Sequence, residues 1–492
     1  MNIKRILLIL VLVLTASFAR LYRISDLTQF LGDQGRDGVA IMNFVTQRQF
    51  PVYGPPLSTG QYTGPFYYYF IAPSFILSHF NPVVPAIEMS IIEIFSVILM
   101  LMLASSLFGF SLGYGVSMLY ALSPMLIHQD RILWPPTTVP FFTLLVLNSI
   151  YLMSRNKYWA IVLLMLSDVI LIQLHYANGI LIIASFVYLV ITFIEAFRNK
   201  LVKTYLVWLI VAVLLGILSL FPFLIYEWHK GFIDITGSLV TFSKAKGLAF
   251  SKHVYINNVI TLCSWLGNYL LPILQRYISL IFVVIILFIA FLSKRKSARY
   301  ISLFVLFSIA ILAFYQDKLQ RQYAYSLIPF VFLLLGEALY VLARRIPNMF
   351  VYGIIIILAF TMVLHTDLLQ PGNRDILRAK INTDAIIRLA GGKPFSFTII
   401  SSPSFSDFHY RFFFMLRHIA VQPIDTKNYN LLFLVCESGQ CPTIDEIHMN
   451  ERIYTMCYDF LCKFDYPILD IWKWKNVGST RVGVSTIYEY EH

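Results

Sequence analysis

The stretch LGDQGRDGVAIMNF (31–44) sets two carboxylates and a guanidinium close together soon after the first apolar run: Asp33, Arg36 and Asp37. A carboxylate in hydrogen-bond reach of a hydroxyl can take its proton, and an arginine can hold a carboxylate ionised or bind an anion. On a helix, Asp33 and Asp37 share a face, and Arg36 reaches Asp33 at i,i+3. Asp33 also suits an N-cap, with Val39, Met42 and the 45–46 region continuing an amphipathic helix along the membrane surface. Gly32, Gly35 and Gly38 recur every third residue. They lack phosphate-loop spacing and stand among acids that would repel phosphate. They predict instead a close approach of backbone to a substrate or a neighbouring helix.

Other polar residues stand at the ends of apolar runs. They are His128, Asp130 and Arg131; His175 and Tyr176; Glu227, His229 and Lys230; and Asp317, Lys318, Arg321 and Tyr323. Any one of them is explained by solvation at a span end or by snorkelling. Together they predict a shared cavity on one side of a membrane. Glu88, Glu93, Asp168 and Glu337 fall inside apolar runs.

The elements that position these groups are membrane helices. The chain has 492 residues, 58% of them apolar and only 13% charged, against about 25% charged in a soluble domain. The net charge of +12 does not signal nucleic-acid binding, because the basic residues collect in short loops between apolar runs. Clusters at 154–157, 198–203, 293–299 and 343–345 are read as cytoplasmic. Parity from those clusters gives about 11 spans, with the N-terminus inside, the C-terminus outside and every polar cluster named above outside. It requires one apolar run not to cross. The run at 66–80 is short, tyrosine-rich and broken by Pro73, so it is read as an interfacial helix. The stretch between 226 and 276 is read as a long outer loop.

Residues 1–366 form the membrane domain on this reading, and 367–492 an extracytoplasmic α/β domain. In the tail, FSFTIISS and LLFLVCES predict strands, RFFFMLRHI a helix and TRVGVSTIYEY an edge strand. Cys436, Cys441, Cys457 and Cys462 form two C-x4-C pairs. Neither matches a zinc signature, and in an oxidising compartment they become disulfides or remain free thiols.

An acid just past the first span, Asp33-Gln34-Gly35-Arg36, is followed by Pro55-Pro56 and GPFYYY and later by RQYAYSLIPFVFLLLG (321–336). This order resembles the GT-C membrane glycosyltransferases, closest in look to protein O-mannosyltransferases and lipid A aminoarabinose transferases. Gln34 stands where that group often carries a second acid. The resemblance implies a polytopic α-helical fold with juxtamembrane helices in the first outer loop. It implies a polyprenyl-phosphate sugar donor lying in the bilayer, a hydroxyl acceptor from the aqueous side and inversion at the anomeric carbon. It makes Asp33 the base, with Arg36, Asp37, Arg131, Glu227 and His229 supporting or binding substrate. Lys318, Arg321 and Tyr323 are expected at the lipid phosphate, which leaves as a stable anion and needs positive charge rather than an acid. No tight D-x-D stands in the first loop, so no metal or other cofactor is expected to be required; a divalent ion is the alternative. The competing functions are a transporter or flippase for a lipid-linked saccharide, which would place charges in broken helices at mid-membrane, and a non-catalytic assembly subunit.

Overall fold

Inside hydrocarbon a backbone must satisfy its own hydrogen bonds, and the apolar runs of this chain do so as helices. The computed structural model describes residues 2–57, 60–237, 250–273, 275–316, 318–402, 404, 406–424, 426, 428–437, 441–449, 453–454, 468–469 and 471–492. Among them, six helices are long and apolar enough to cross a bilayer: Val83–Phe108, Pro135–Met153, Tyr176–Arg198, Val202–Lys230, Lys296–Ala313 and Arg321–Ala343. Phe66–Leu77, Phe110–Leu122, Ala160–Leu174, Arg276–Leu292 and Asn348–Leu364 are shorter apolar helices, and Ile3–Leu21 opens the chain. This is a multi-pass membrane protein.

The helices pack through one continuous apolar core, and the charges within it are matched internally. Arg20 donates from Nε to Asp130 Oδ2 at 2.8 Å and from Nη1 to the Ala121 carbonyl at 3.0 Å. Ser96 donates to Glu93 at 2.8 Å, and Ser185 to Asp168 at 3.2 Å. Glu337 accepts from Ser293 at 2.6 Å and Arg295 at 3.0 Å. The Asp130, Asp168 and Glu337 contacts join neighbouring elements, whereas Glu93 is bonded within its own helix.

The stretch read as a long outer loop contains a helix, Lys252–Leu270. Its polar residues make it less apolar than the spans. Its apolar residues still recur at helical spacing and bury Leu262, Leu266, Tyr269 and Leu270. Cys263 lies on the same helix as a buried free thiol.

The tail builds a four-stranded sheet. Strand Phe395–Ser401 pairs in parallel with Leu431–Cys436, which pairs antiparallel with Ser485–Glu491, itself hairpinned to Lys475–Val482. TRVGVSTIYEY, expected as one edge strand, is the end of the edge strand Lys475–Val482, a turn and an interior strand. Gly483, with φ of +60°, is the first central residue of a two-residue hairpin loop, a position that glycine fills at no steric cost. Leu431–Cys436 is buried along its whole length. One face of the sheet packs Phe397, Phe433 and Ile487 beneath helices Asp375–Ala390 and Phe408–Leu416; the other packs Leu432, Leu434 and Tyr490. Cys436 and Cys441 are disulfide-bonded, and Cys457 and Cys462 lie outside the described residues.

The two parts are joined by charge. Arg131, with a fully buried side chain, donates from Nη2 to both oxygens of Asp367, at 2.5 and 2.6 Å. His128 Nδ1 lies 3.1 Å from the same carboxyl. Burial alone would raise Asp367, but the His128 and Arg131 contacts outweigh it and hold the carboxyl down to about 2. Asp367→Asn leaves a buried guanidinium without its counter-charge and is expected to cost about 2 kcal/mol or more. The double variant Arg131→Met/Asp367→Asn recovers most of that loss, because no buried charge is left without a partner. Chemical unfolding of the purified protein measures both; a single variant as stable as wild type would mean the pair carries no weight.

Candidate active site

Asp33 lies in the first turn of helix Gly32–Thr46 and is not its N-cap, contrary to the sequence expectation; the cap is Leu31. Gln34 explains why. Its Oε1 accepts the Leu31 amide at 2.9 Å, so the third helical residue closes the helix start from inside. The Asp33 carboxylate is left free for other work, at the positive end of the helix dipole.

Arg36 binds both acids. Its Nη1 donates to Asp33 Oδ1 at 2.7 Å, and its Nε and Nη2 donate to Asp37 Oδ1 at 3.1 and 3.0 Å. The Asp33 side chain is 24% exposed and that of Asp37 is sealed. Among the described residues Arg36 is the polar partner of Asp33, so its second carboxyl oxygen faces outward uncommitted. Tyr68, on the interfacial helix Phe66–Leu77, donates to Asp37 Oδ1 at 3.2 Å. Burial pushes Asp37 up to about 7, against the pull of Arg36 and with the repulsion of Asp33. Tyr67, fully buried behind it, is raised by burial and then by the Asp37 charge. GPFYYYF signalled an aromatic interfacial helix; its tyrosines as partners of Asp37 could not be read from it.

The glycine stripe meets a helix of the C-terminal domain. A Cβ on Gly35 would lie 2.3 Å from the His409 amide nitrogen and 2.4 Å from the Phe408 carbonyl oxygen. One on Gly38 would lie 2.6 Å from the Phe412 ring.

Arg321 opens the 3-10 turn Arg321–Leu327. Its guanidinium lies 5.9 Å from the Trp265 ring and its Nη1 is 3.8 Å from Met125 Sδ. Trp265 belongs to the helix that was read as loop. Tyr323 contacts the His175 ring at 5.1 Å and Tyr315 at 5.4 Å, so two of the polar clusters meet there. Burial holds His175 down to about 4, and the ring is neutral at pH 7. Lys318 lies on the strand of chain leading to Arg321, and Asp317 is outside the described residues.

The remaining residues have different surroundings. Arg131 is taken up by Asp367. Glu227 is buried and accepts the Ile235 amide at 3.3 Å. His229 is exposed. Lys230 donates to Tyr226 Oη at 2.6 Å and lies 5.4 Å over the Tyr62 ring. Tyr53 packs on both rings, and Tyr176 donates to the Tyr62 carbonyl at 2.6 Å. The proline-rich segment after the Asp33 helix thus reaches the polar ends of two membrane helices. Among the described residues no three His, Cys, Asp or Glu side chains are grouped to hold a metal ion.

No protein-family model matches the sequence, and no curated protein matches it. Solved structures do match. ArnT from Cupriavidus metallidurans bound to undecaprenyl phosphate aligns at a TM-score of 0.58 and 12% identity, over 98% of this chain and 97% of that one. The apo state of ArnT from the same organism aligns at 0.54 and 12% identity, over 88% and 92%. The fold is therefore the GT-C fold that the sequence resembles.

Asp37 makes stability depend on pH. Its carboxyl is raised from 3.8 to about 7, so between those values the folded chain holds a proton that the unfolded chain has lost, and stability falls as pH rises. Asp37→Asn keeps an acceptor for Arg36 and Tyr68 and is expected to flatten that fall, leaving the variant the more stable protein above about pH 7. Thermal unfolding of both proteins across this range tests it; parallel pH profiles would show that burial does not govern Asp37.

Proposed function

We propose that this protein is a membrane glycosyltransferase that moves a sugar from a polyprenyl-phosphate donor to a hydroxyl acceptor on the outer face of the membrane, with inversion. The observation that carries the reading is Asp33: a part-exposed carboxylate just past the first apolar helix, with one oxygen engaged by Arg36 at 2.7 Å and the other open. The GT-C fold adds support, as does the undecaprenyl phosphate bound by the ArnT neighbour. The Cys436–Cys441 disulfide fits a C-terminal domain in an oxidising compartment, and so a cytoplasmic N-terminus.

In the proposed step the acceptor oxygen bonds to the anomeric carbon while the bond from that carbon to the phosphate oxygen breaks. The hydroxyl proton passes to Asp33, and the electron pair leaves with the polyprenyl phosphate. Arg36 holds the Asp33 carboxylate in place through the 2.7 Å contact. Arg321 and Lys318, with Tyr323 beside them, stabilise the departing phosphate. No metal has a required part in this scheme. The sugar and the acceptor are those of the cell that makes the protein, and mass analysis of envelope glycans with and without the gene identifies both.

Asp33→Asn is expected to lower transfer by about 10²-fold or more while the purified protein still retains undecaprenyl phosphate. Arg321→Ala is expected to weaken that retention. The readouts are envelope glycan mass in a strain carrying each variant in place of the natural gene, and native mass spectrometry with undecaprenyl phosphate. Normal transfer by Asp33→Asn would remove Asp33 as the base.

A further inference from the structure

Between the first apolar helix and Asp33 the chain has one short turn of its own, Ile24–Leu27. Thr28 donates to the Arg131 carbonyl at 2.6 Å, and further contacts come from residues more than three hundred positions away. Arg23 Nη1 donates to the carbonyls of Leu368 and Gln370 at 3.2 and 3.1 Å. The Arg374 amide donates to the Asp26 carbonyl at 3.0 Å. The Phe30 amide donates to Asp375 Oδ2 at 3.2 Å, and the Gly32 amide to Ser404 Oγ at 3.0 Å. The last two fix the backbone immediately before Asp33. Amides at a helix start have no partner within the helix, so Ser404 satisfies a donor that would otherwise face the domain contact unpaired.

The holding groups are themselves fixed. Arg378 donates to Asp375 Oδ1 at 2.7 Å, and Asn373 to its Oδ2 at 3.1 Å. Ser404 Oγ donates to the Ser406 carbonyl at 2.7 Å and its amide to Ser402 Oγ at 3.0 Å. Ser402 and Arg378 both bond to Glu437. Burial would raise that carboxyl, but His409, Arg378 and Ser402 outweigh it and hold it down to about 2. A charged, internally hydrogen-bonded cluster therefore lies under the start of the Asp33 helix, and the glycine stripe brings it to backbone contact.

We propose that the C-terminal domain is a positioning part of the transfer site, with Ser404 and Asp375 as the residues that set where Asp33 stands. The inference rests on the reading of Asp33 as the base. A displacement of about 1 Å at a reacting group can cost about 10²-fold in rate, so a brace on the Phe30 and Gly32 amides acts on turnover rather than on donor binding.

The test uses the full chain carrying Ser404→Ala together with Asp375→Ala, and separately Ser404→Thr, which keeps the hydroxyl. Envelope glycan transfer in a strain with each variant as its sole copy gives turnover, and retention of undecaprenyl phosphate by the purified protein reports an intact lipid site. The double variant is expected to lose about tenfold or more of transfer with lipid retention within about twofold of wild type, and Ser404→Thr to transfer normally. Unchanged transfer in the double variant overturns the brace. So does a parallel loss of transfer and lipid retention, which marks a merely structural role. Asp33→Asn is run alongside: if it transfers normally the base assignment fails, whereas a dead Asp33→Asn beside a fully active double variant sinks only the brace.

Discussion

Arg36 lies between two carboxylates that differ in their access to water, and the site depends on that asymmetry. Adjacent residues on a helix do not face each other, so the Arg36 side chain must fold back to reach Asp37 while it also spans one turn to Asp33. Asp37 is sealed and holds the guanidinium from behind; Asp33 is part-exposed and receives it from the front. A buried carboxyl with an elevated affinity for protons takes less of the arginine's charge, which leaves more of it for Asp33. The outer acid is thereby paired without being removed from water.

Such an arrangement survives only if the helix that carries it cannot drift. Gly32–Thr46 lies on the membrane helices through Tyr68 and helix Phe66–Leu77, and under the C-terminal sheet region through Gly32, Gly35 and Gly38. Side chains at these glycines would hold helix Phe408–Leu416 at a distance, and the Gly32 amide would lose Ser404. The small residues thus serve contact between two domains, and the junction at Arg131 and Asp367 keeps those domains in register. Charge pairing at the seam and backbone contact at the helix are two parts of one restraint.

Much of this was legible in the chain. Alternating apolar runs and basic loops predict a polytopic helical protein, and the acid after the first span with its prolines and tyrosines predicts the GT-C fold. Helix Gly32–Thr46 and the Asp33–Arg36 pair follow from spacing alone. What could not be read depended on distant partners. Arg131 reads as a candidate ligand because Asp367 stands 236 residues away. The glycines announce a close approach but not that Phe408 and His409 make it. Asp33 looks like a cap until Gln34 is seen to reach back to Leu31. Gln34, a departure from the acidic pattern of the family, has a local task that an acid at the same place could also perform. Lys252–Leu270 was missed because a helix half in contact with protein needs fewer apolar residues than a span, and so resembles a loop.

On the proposed reading, base and phosphate binder must flank the anomeric carbon from opposite sides, since the attacking and leaving oxygens are aligned through it. A base in direct contact with the phosphate-binding arginine would be neutralised by it and would leave no room for the sugar. The two charge systems stand on different elements: Arg36 pairs with one oxygen of Asp33, while Arg321 rests on Trp265 and Met125. Tyr53, Tyr62, Tyr176 and Tyr226 join the intervening loop to the membrane helices, and the Tyr323–His175 contact ties that assembly to the Arg321 turn. Rings with hydroxyl tips give such a region apolar faces and hydrogen-bonding edges together, the combination a sugar ring presents in return. On that reading the Arg36–Asp33 pair and Arg321 divide the two charge tasks between separate elements.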